Sequence, residues 1–483
     1  MFSPNTLYAF DAIVAILGLA LLSRFIAARR KGPFPPGPKG WPFMGNALDM
    51  PTSHHWKIFS QWSERWGDIV YVTVFGQPMV ILNSLDHATE LLERRSALYS
   101  DRPQMTSIGK IAGWDQIVVL TPYGAQFREH RRLLSRYIGS HSAITKFAPV
   151  LEHEVTKLIM RIIRQPKALD QQLRRMAAAV ILNVTYGYEM TEDEDPLVEI
   201  VDTAVTHFSE LSTPGARLAD MFPVLEHVPA WLPGAGWKRR AFAAARDTSA
   251  MVEVPYAMVR ERMASGTAIP SFVSSNLEGD PSSEQQYMVK TTASVMYAGG
   301  ADTTVSTLHS FFLAMTCYPE VQKKAQMEID NIIGNDRLPT LGDRESLPYV
   351  NAVCSELHRW NPAAPLGVTH RLVQDDTYLN FVLPKGTLVT ANAWHILHDP
   401  ANYKDPFVFN PDRFVKSHGE EPEMDPRKVM FGFGRRICAG KHFADASVFL
   451  TCATILATLD ISKAVENGVV NEPIINYGNG TVR

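Results

Sequence analysis

The sequence has little of what marks nucleic-acid-binding, disulfide-stabilised or repetitive proteins. Its 47 lysine and arginine residues are balanced by 50 aspartate and glutamate residues, so no basic face for nucleic acid is indicated. Its four cysteines, Cys317, Cys354, Cys438 and Cys452, form no CxxC pair and no disulfide framework, which favours reduced thiols. Internal repeats and low-complexity tracts are also absent.

What the sequence does have is a series of helical patterns with a few strand-like segments. Long helices are predicted over about Glu284–Thr316, Val321–Ile333, Leu347–Trp360 and Gly440–Leu459. Strand character is confined mainly to Ile69–Leu82 and Thr377–Thr390, each with a turn inside it. Because no strand–helix alternation supports a parallel sheet, we predict a mainly α fold with a minor β portion, of the α+β type.

The N-terminal segment is mostly apolar from Leu7 to Ala28, and Arg29, Arg30 and Lys31 follow directly. This order predicts a single transmembrane helix whose C-terminal side stays in the cytoplasm, with a buried core helix as the alternative. A cleaved signal peptide would need positive charge before the apolar run. We therefore predict a membrane anchor over 1–31, a proline-rich hinge over 32–45 and a catalytic domain over 46–483.

One short segment is dense in residues that suit a flat, anionic cofactor. It reads Phe431-Gly-Phe-Gly434-Arg-Arg436-Ile-Cys438-Ala-Gly440. Glycines let the backbone approach a planar group closely, and an arginine donates charge-assisted hydrogen bonds to a carboxylate. A thiolate needs electropositive surroundings, which the start of the helix after Cys438 supplies. An unligated buried cysteine would leave the rest of the motif unexplained.

This motif resembles that of the cytochrome P450 superfamily, and the resemblance covers nearly the whole chain. It implies the cytochrome P450 fold, with haem b bound by the loop residues Phe431, Gly434, Arg436 and Gly440, and with Cys438 as the axial thiolate ligand of the iron.

Two arginines outside the loop resemble the family's contacts to the haem propionates. Arg131 follows Phe127 by four residues, where the family usually has tryptophan, so Arg131 has to hold a propionate without an indole donor. Arg371, in the segment after the helix ending at Trp360, resembles a second such contact. For each arginine, a plain surface charge is the alternative.

The helix over 284–316 carries Gly299-Gly-Ala-Asp302-Thr303-Thr304, a poor choice for a helix interior. The segment resembles the family's oxygen-activation motif. The resemblance implies that the hydroxyl of Thr303 contacts the oxygen substrate and a water, and that Asp302 relays protons from solvent.

Glu356 and Arg359 lie three residues apart on one helix face, where they can pair. Alone, such a pair is usually solvated and contributes little. The resemblance implies a buried pair completed by Arg413, with a structural role behind the cysteine loop.

The family resemblance implies an O₂-dependent monooxygenase that inserts one oxygen atom into a small apolar molecule. Since the chain has no flavin or nicotinamide fingerprint, its electrons have to come from a partner, expected to be NADPH–cytochrome P450 reductase docking on Arg435, Arg436 and Lys441. The expected location is the endoplasmic reticulum membrane, with one N-terminal span and a cytosolic catalytic domain. An O₂-independent haem-thiolate isomerase or dehydratase and a non-catalytic haem-binding protein are the alternatives.

The substrate pocket is expected to be lined by 101–120, 207–221, 295–303 and 362–369, whose residues are mostly uncharged. The residues in and around the two motifs resemble those of the fungal secondary-metabolism branch of the family, which favours a terpenoid, polyketide, indole or aromatic substrate. The segment 221–237 is either a packed loop or a membrane contact. Family members usually continue through a closing β hairpin, so we expect the pocket wall near Arg483 to be incomplete and the protein less stable.

Overall fold

The structure is a computed structural model that describes residues 32–191, 195–212, 218–416 and 421–478, together with Val482. The predicted anchor over 1–31 lies outside the described residues. Among the helices that the structure describes, none has the length and apolar character needed to cross a membrane.

The described residues form two compact units that interleave along the chain. The first contains residues 32–103 and 369–392, and the second contains the described residues of 104–368 and 393–483. The predicted fold class is confirmed, because helices dominate and the strands are short and few in residues.

The first unit holds most of the β structure. Its elements are α1 (His55–Trp66), β1 (Ile69–Val74), β2 (Gln77–Leu82), α2 (Leu85–Ala88), a π-helical turn (Thr89–Arg94), α3 (Ser96–Tyr99), β3 (His370–Arg371), β4 (Asp376–Tyr378), β5 (Phe381–Leu383) and β6 (Leu388–Ala391). One sheet has the strand order β1-β2-β6-β3, and β4 pairs with β5 in a separate hairpin.

The sheet contains a parallel pair that no sequence pattern predicted. β2 and β6 run parallel, with Met79 opposite Leu388 and Leu82 opposite Ala391. The two strands are about three hundred residues apart in sequence rather than one crossover helix apart, so the strand–helix alternation that signals parallel pairing is missing.

The proline-rich segment 32–45 packs against this β structure. The carbonyl of Pro36 accepts a hydrogen bond of 2.9 Å from the N–H of Tyr71, and the carbonyl of Pro33 accepts one of 2.8 Å from Val382. The ring of Phe34 stacks on Tyr71 at 4.8 Å. A proline cannot donate to a ladder but keeps its carbonyl acceptor, and these contacts use that acceptor.

The second unit is built almost entirely of helices. These are α4 (Ala125–Ile138), α5 (His141–Thr145), α6 (Ala148–Arg164), α7 (Leu169–Tyr186), α8 (Pro196–Leu211), α9 (Leu218–Met221), α10 (Gly236–Ala264), α11 (Phe272–Leu277), α12 (Ser283–Cys317), α13 (Pro319–Ile332), α14 (Pro348–Trp360), α15 (Ala393–His398), α16 (Arg427–Met430) and α17 (Lys441–Thr458). Shorter elements are a π-helical turn (Thr106–Ile111), 3₁₀ turns that include Trp114–Gln116, Pro223–His227, Leu341–Ser346, Pro411–Phe414 and Gly434–Arg436, and the hairpin strands β7 (Val465–Glu466) and β8 (Val469–Val470).

The long helices end close to the predicted positions because their signals are local. α12 begins at a capping box in which Ser282 and Gln285 satisfy each other's backbone N–H groups. α13 and α14 each begin with a proline at their first position, where a missing N–H costs nothing. α12 and α17 are apolar around most of their circumference, and they pack against each other in the core.

Candidate active site

The cysteine loop lies between α16 and α17 and is closed by its own backbone. The N–H of Cys438 donates to the carbonyl of Phe431 at 2.8 Å, and the N–H of Ile437 donates to Gly434 at 3.2 Å. Gly434 has a φ of 55°, in the left-handed region that residues with a Cβ rarely adopt. The segment from Phe431 to Cys438 thus folds into one compact turn whose shape is set locally.

The side chain of Cys438 is solvent-accessible, although Phe431, Phe433 and Arg436 beside it are buried. The surrounding protein still desolvates the sulfur, and this burial raises the pKa of the Cys438 thiol. A hydrogen bond from the backbone of Gly440 acts in the opposite direction, as does positive charge nearby. A cation bound at the sulfur would add the missing stabilisation of the thiolate, so this donor set fits an iron ligand.

Arg131 and Arg436 both lie against this loop but bind different groups. Arg131, on α4, donates to the carbonyl of Ile437 at 2.7 Å, and its charge favours ionisation of Cys438. Arg436 donates to the carbonyls of Val118 and Thr121 at 3.2 and 2.7 Å. Both guanidinium groups therefore bind backbone carbonyls in or near the cysteine loop, and their predicted propionate contacts stay predictions.

Arg436 was also expected on a surface that docks a reductase, and the structure contradicts this. Only 8% of its surface is exposed, and its guanidinium lies 3.7 Å from the ring centroid of Phe127. The attraction between a cation and an aromatic face is stronger when the cation is shielded from water. Phe127 therefore offers a π face to Arg436, where the family's tryptophan would have offered an indole N–H donor. Arg435 stays exposed, with its guanidinium against the ring and hydroxyl of Tyr123.

Arg371 belongs to the first unit. It is in β3, its backbone N–H donates to the carbonyl of Asp101 at 2.9 Å, and its Nη1 lies 3.7 Å from an Asp101 carboxylate oxygen. About a third of the side chain is exposed. Its predicted contact with a propionate remains a prediction.

The middle of α12 presents Thr303, whose side chain is partly exposed. Gly299, one turn earlier, is exposed, and a Cβ added to it would meet no other atom within 4 Å. The hydroxyl of Thr303 donates to the carbonyl of Gly299 at 2.8 Å. This bond leaves the Thr303 oxygen free to accept a second hydrogen bond from a water or a substrate.

Asp302, next to Thr303, belongs to a cluster of charges that the sequence did not predict. Arg174 on α7 donates to the Asp302 carboxylate at 3.2 Å and to Asp170 at 3.1 Å. His309, two turns after Asp302, contacts Asp170 at 2.8 Å. Burial, and then the negative charge of Asp302, raise the pKa of Asp202 on α8. The cluster joins solvent-exposed ionisable groups to Asp302, as proton transfer from solvent requires.

Glu356, Arg359 and Arg413 come together in the core of the second unit. The two guanidinium nitrogens Nε and Nη2 of Arg359 each lie 2.7 Å from a Glu356 oxygen, and Arg413 contacts the same carboxylate at 3.2 Å. Neither Glu356 nor Arg359 is exposed. Arg359 also donates to the carbonyls of Leu397 and Pro406, so it ties α14 to the segment before the cysteine loop. The predicted role of the triad is structural.

The π-helical turn Thr106–Ile111 is held to the segment after α8. The backbone N–H and the hydroxyl of Ser107 both donate to the carboxylate of Asp220, at 3.0 and 3.1 Å. Lys110 donates to Glu226 at 2.8 Å. These contacts join two of the segments expected to line the substrate pocket, and the sequence contained no signal for them.

The helices that carry the candidate residues pack in one core. α4 meets α12 through a hydrogen bond of 2.7 Å between His130 and Thr292, and α12 packs on α17, the helix that follows the cysteine loop. The second unit therefore brings Arg131 and Thr303 into the same core as Cys438. The residues present suit a haem: a thiolate ligand, cationic groups beside it and an accessible helix face with a hydroxyl.

Comparison with known proteins indicates the family that the cysteine motif resembles, across almost the whole length of the chain. The family model described as Cytochrome P450 matches residues 35–474. The chain is 52% identical over 474 residues to cytochrome P450 monooxygenase 208 of Postia placenta, covering 98% of this chain and 93% of that protein. It is 41% identical to cytochrome P450 monooxygenase claR of Ampulloclitocybe clavipes, covering 99% and 89%, and 40% identical to cytochrome P450 monooxygenase ppsD of Aspergillus oryzae, covering 94% and 88%.

Proposed function

This chain belongs to the cytochrome P450 family, and we propose that it is a haem-thiolate monooxygenase of small apolar molecules that depends on a reductase. The observation that carries the proposal is the accessible sulfur of Cys438 in a loop that directs a backbone N–H and the charge of Arg131 toward it. When bound, haem supplies the activation of O₂ for transfer of one oxygen atom to the substrate.

The chain's own residues hold the cofactor and move protons. Cys438 would hold the iron, and Arg131 and Arg436 would offer positive charge to the carboxylates of the haem. The oxygen of Thr303 accepts a hydrogen bond from a water, and Asp302 passes a proton to that water. Arg174, 3.2 Å from the Asp302 carboxylate, holds it in a fixed orientation between transfers.

The proposal is tested by a carbon monoxide difference spectrum together with NADPH and O₂ consumption in the presence of the reductase. We expect the wild type to give a thiolate-type spectrum and to consume both. Cys438→Ser should lose the thiolate spectrum, while Cys317→Ser, a matched cysteine outside the loop, should keep it. A wild type that binds no haem would refute the proposal, and substrate turnover without O₂ would favour the isomerase.

Electron supply by a partner is supported by the exposed basic side chains on α4. Arg128, Arg132 and Arg136 recur every four residues and are exposed, so they lie along one helix face. Such a stripe can steer an acidic flavoprotein toward the cysteine loop that Arg131 touches. Replacing Arg128 and Arg136 by glutamine should slow reduction by the reductase and weaken its salt dependence, while dithionite reduces the variant normally.

We also propose attachment to the endoplasmic reticulum membrane, with the catalytic domain in the cytosol. The apolar residues before Arg29 support an anchor. The loop before α10 supports a second contact, because Trp231 is 77% and Val224 is 69% exposed. Lys238 nearby donates to the carbonyls of Glu226 and Val228, so the loop is fixed with these apolar side chains outward.

Carbonate extraction of microsomes tests the membrane proposal. The full chain should stay with the membrane, and a chain starting at Gly32 should bind more weakly and be released by Trp231→Ser. The matched substitution Ile163→Ser, at another exposed apolar position, should have no such effect. Complete extraction of the full chain would refute the anchor.

As substrate we propose a terpenoid, polyketide, indole or other aromatic compound. The support is the mostly uncharged character of the pocket segments, which favours an apolar ligand. Metabolite profiling after co-expression with a reductase is the test. If a protein with a normal thiolate spectrum oxidises none of these classes, the proposed substrate class is refuted and the proposed monooxygenase function is not.

A further inference from the structure

A second buried cluster of charges lies behind the cysteine loop, apart from the Glu356 triad. Its centre is Asp445, on the second turn of α17, with 5% of its surface exposed. Arg344 donates to its carboxylate at 2.7 Å, and Arg427 approaches it at 3.4 Å. Burial disfavours the charge of Asp445, but the contacts from His358, Arg344 and Arg427 outweigh burial and lower the pKa of its carboxyl.

His358 connects this carboxylate to the cysteine loop. It lies on α14 between Glu356 and Arg359 in sequence but points to a different group, with Nε2 3.6 Å from Asp445. Its ring meets the ring of Phe431 at 5.7 Å between centroids and 63° between planes. His358 is 2% exposed, and neither ring nitrogen makes a hydrogen bond within the described part of the chain, so its contact with Asp445 is an electrostatic one.

Phe431 is the first residue of the cysteine motif, and its backbone accepts the hydrogen bond from the N–H of Cys438. A displaced Phe431 ring would carry its carbonyl with it, because a close-packed interior transmits small shifts. The contacts therefore run in one line from Asp445 through His358 and Phe431 to Cys438. The first two contacts join different elements, α17 to α14 and α14 to the loop, and the third lies within the loop.

Packing alone does not explain this arrangement. A buried ionised carboxylate with its partners contributes about as much as, or less than, hydrophobic residues of the same volume. Burying an imidazole that has one polar contact beside an aromatic ring is likewise less favourable than burying an apolar side chain there. What the pair does supply is a fixed orientation, because a charged contact restricts the His358 ring more than apolar neighbours would.

We propose that His358 and Asp445 are positioning residues for the Cys438 thiolate, which hold Phe431 so that the loop keeps its sulfur oriented as an iron ligand. The inference rests on the proposed haem-thiolate function. Residues outside the ligand shell of a metal commonly tune its affinity and potential by orienting the ligands. Here His358 and Asp445 act on Cys438 through the ring of Phe431 and the backbone hydrogen bond between Phe431 and Cys438.

The test uses His358→Leu and Asp445→Asn in the full-length haem protein. Two properties are measured: the rate at which the carbon monoxide complex loses its thiolate-type spectrum on mild heating, and the midpoint reduction potential. We expect both variants to lose the thiolate spectrum several-fold faster than the wild type and to shift the potential in the same direction. The double variant should match the single variants, because the residues act as one unit.

Val353→Ala is the matched control, since Val353 lies on the same helix and is equally buried. It should lower the melting temperature and leave the potential and the thiolate spectrum unchanged. His358→Gln, which keeps a donor for Asp445, should restore much of the wild-type behaviour.

If His358→Leu and Asp445→Asn both behave like Val353→Ala in the two measurements, the inference is overturned; if His358→Leu does not fold, Asp445→Asn decides by the same comparison. The proposed function would survive that result as long as the wild type shows its thiolate spectrum. A wild type without that spectrum would instead refute the proposed function, which separates the two failures.

Discussion

His130 on α4 is a buried histidine whose protonation should destabilise the fold. None of its surface is exposed, and Nδ1 lies 2.7 Å from the hydroxyl of Thr292 on α12. That hydroxyl already donates to the carbonyl of Met288, so its oxygen accepts from His130. Burial lowers the pKa of His130 to about 4, against a modest raising effect from the backbone of Gln116.

The sign and size of the effect follow from this shift. The unfolded chain binds a proton at His130 near its ordinary pKa of 6.5, whereas the folded protein does so only near 4. Stability from this site is therefore complete above the unfolded value and is lost as the pH falls from 6.5 toward 4. Integrated from about pH 7.5 to about pH 4.5, the loss is about 2.5 kcal/mol.

The assay is urea unfolding of the wild type and of His130→Asn at both pH values. Asparagine keeps a donor for Thr292 but has no ionisable group. The variant can be less stable throughout, but its stability should fall with acid by about 2.5 kcal/mol less than that of the wild type. Groups that titrate in both proteins cancel in this difference. Equal acid sensitivity of the two proteins would show that His130 is not linked to folding through its proton.

Three further outcomes are expected. Arg359→Met removes two of the donors to the buried Glu356 carboxylate and leaves several carbonyls without their guanidinium partner, so it should cost about 3–5 kcal/mol of stability in urea unfolding; a loss below about 1 kcal/mol would mean that the pair is dispensable. Arg174→Leu should reduce product formed per NADPH roughly tenfold, because Asp302 loses its partner, while Arg175→Leu next to it should change little; equal coupling in both would contradict the relay. Asp220→Asn should weaken substrate binding and raise protease sensitivity of the π-helical turn that this carboxylate holds, and an unchanged cleavage pattern would rule out the tether.

Long-range neighbours could not be read from the sequence. Arg174 and Asp302 are 128 residues apart, and each is an ordinary charged residue within its own helix. The same holds for His358 and Asp445. Charge pairs of this kind have no periodic signal, because any of the many basic residues could have met either carboxylate. The burial of Arg436 was missed for a related reason: its acceptors lie in an irregular segment some 315 residues earlier.

The sequence by itself determined the features whose physics is local. The bounds of α12, α13 and α14 follow from caps, prolines and apolar periodicity within each segment. The loop that ends at Cys438 closes through hydrogen bonds between Phe431 and Cys438, so its motif was sufficient to predict the thiolate ligand and to identify the family.

Only the tertiary structure decided what surrounds that ligand. In the folded protein, Arg131 contacts the cysteine loop, Arg174 of α7 pairs with Asp302, and His358 lies between Asp445 and Phe431. These contacts form where separate helices pack, and packing is chosen by the fit of whole surfaces rather than by any one segment. The prediction of the thiolate ligand thus rests on one short stretch of chain, whereas the groups proposed to orient it and to supply protons depend on the complete fold.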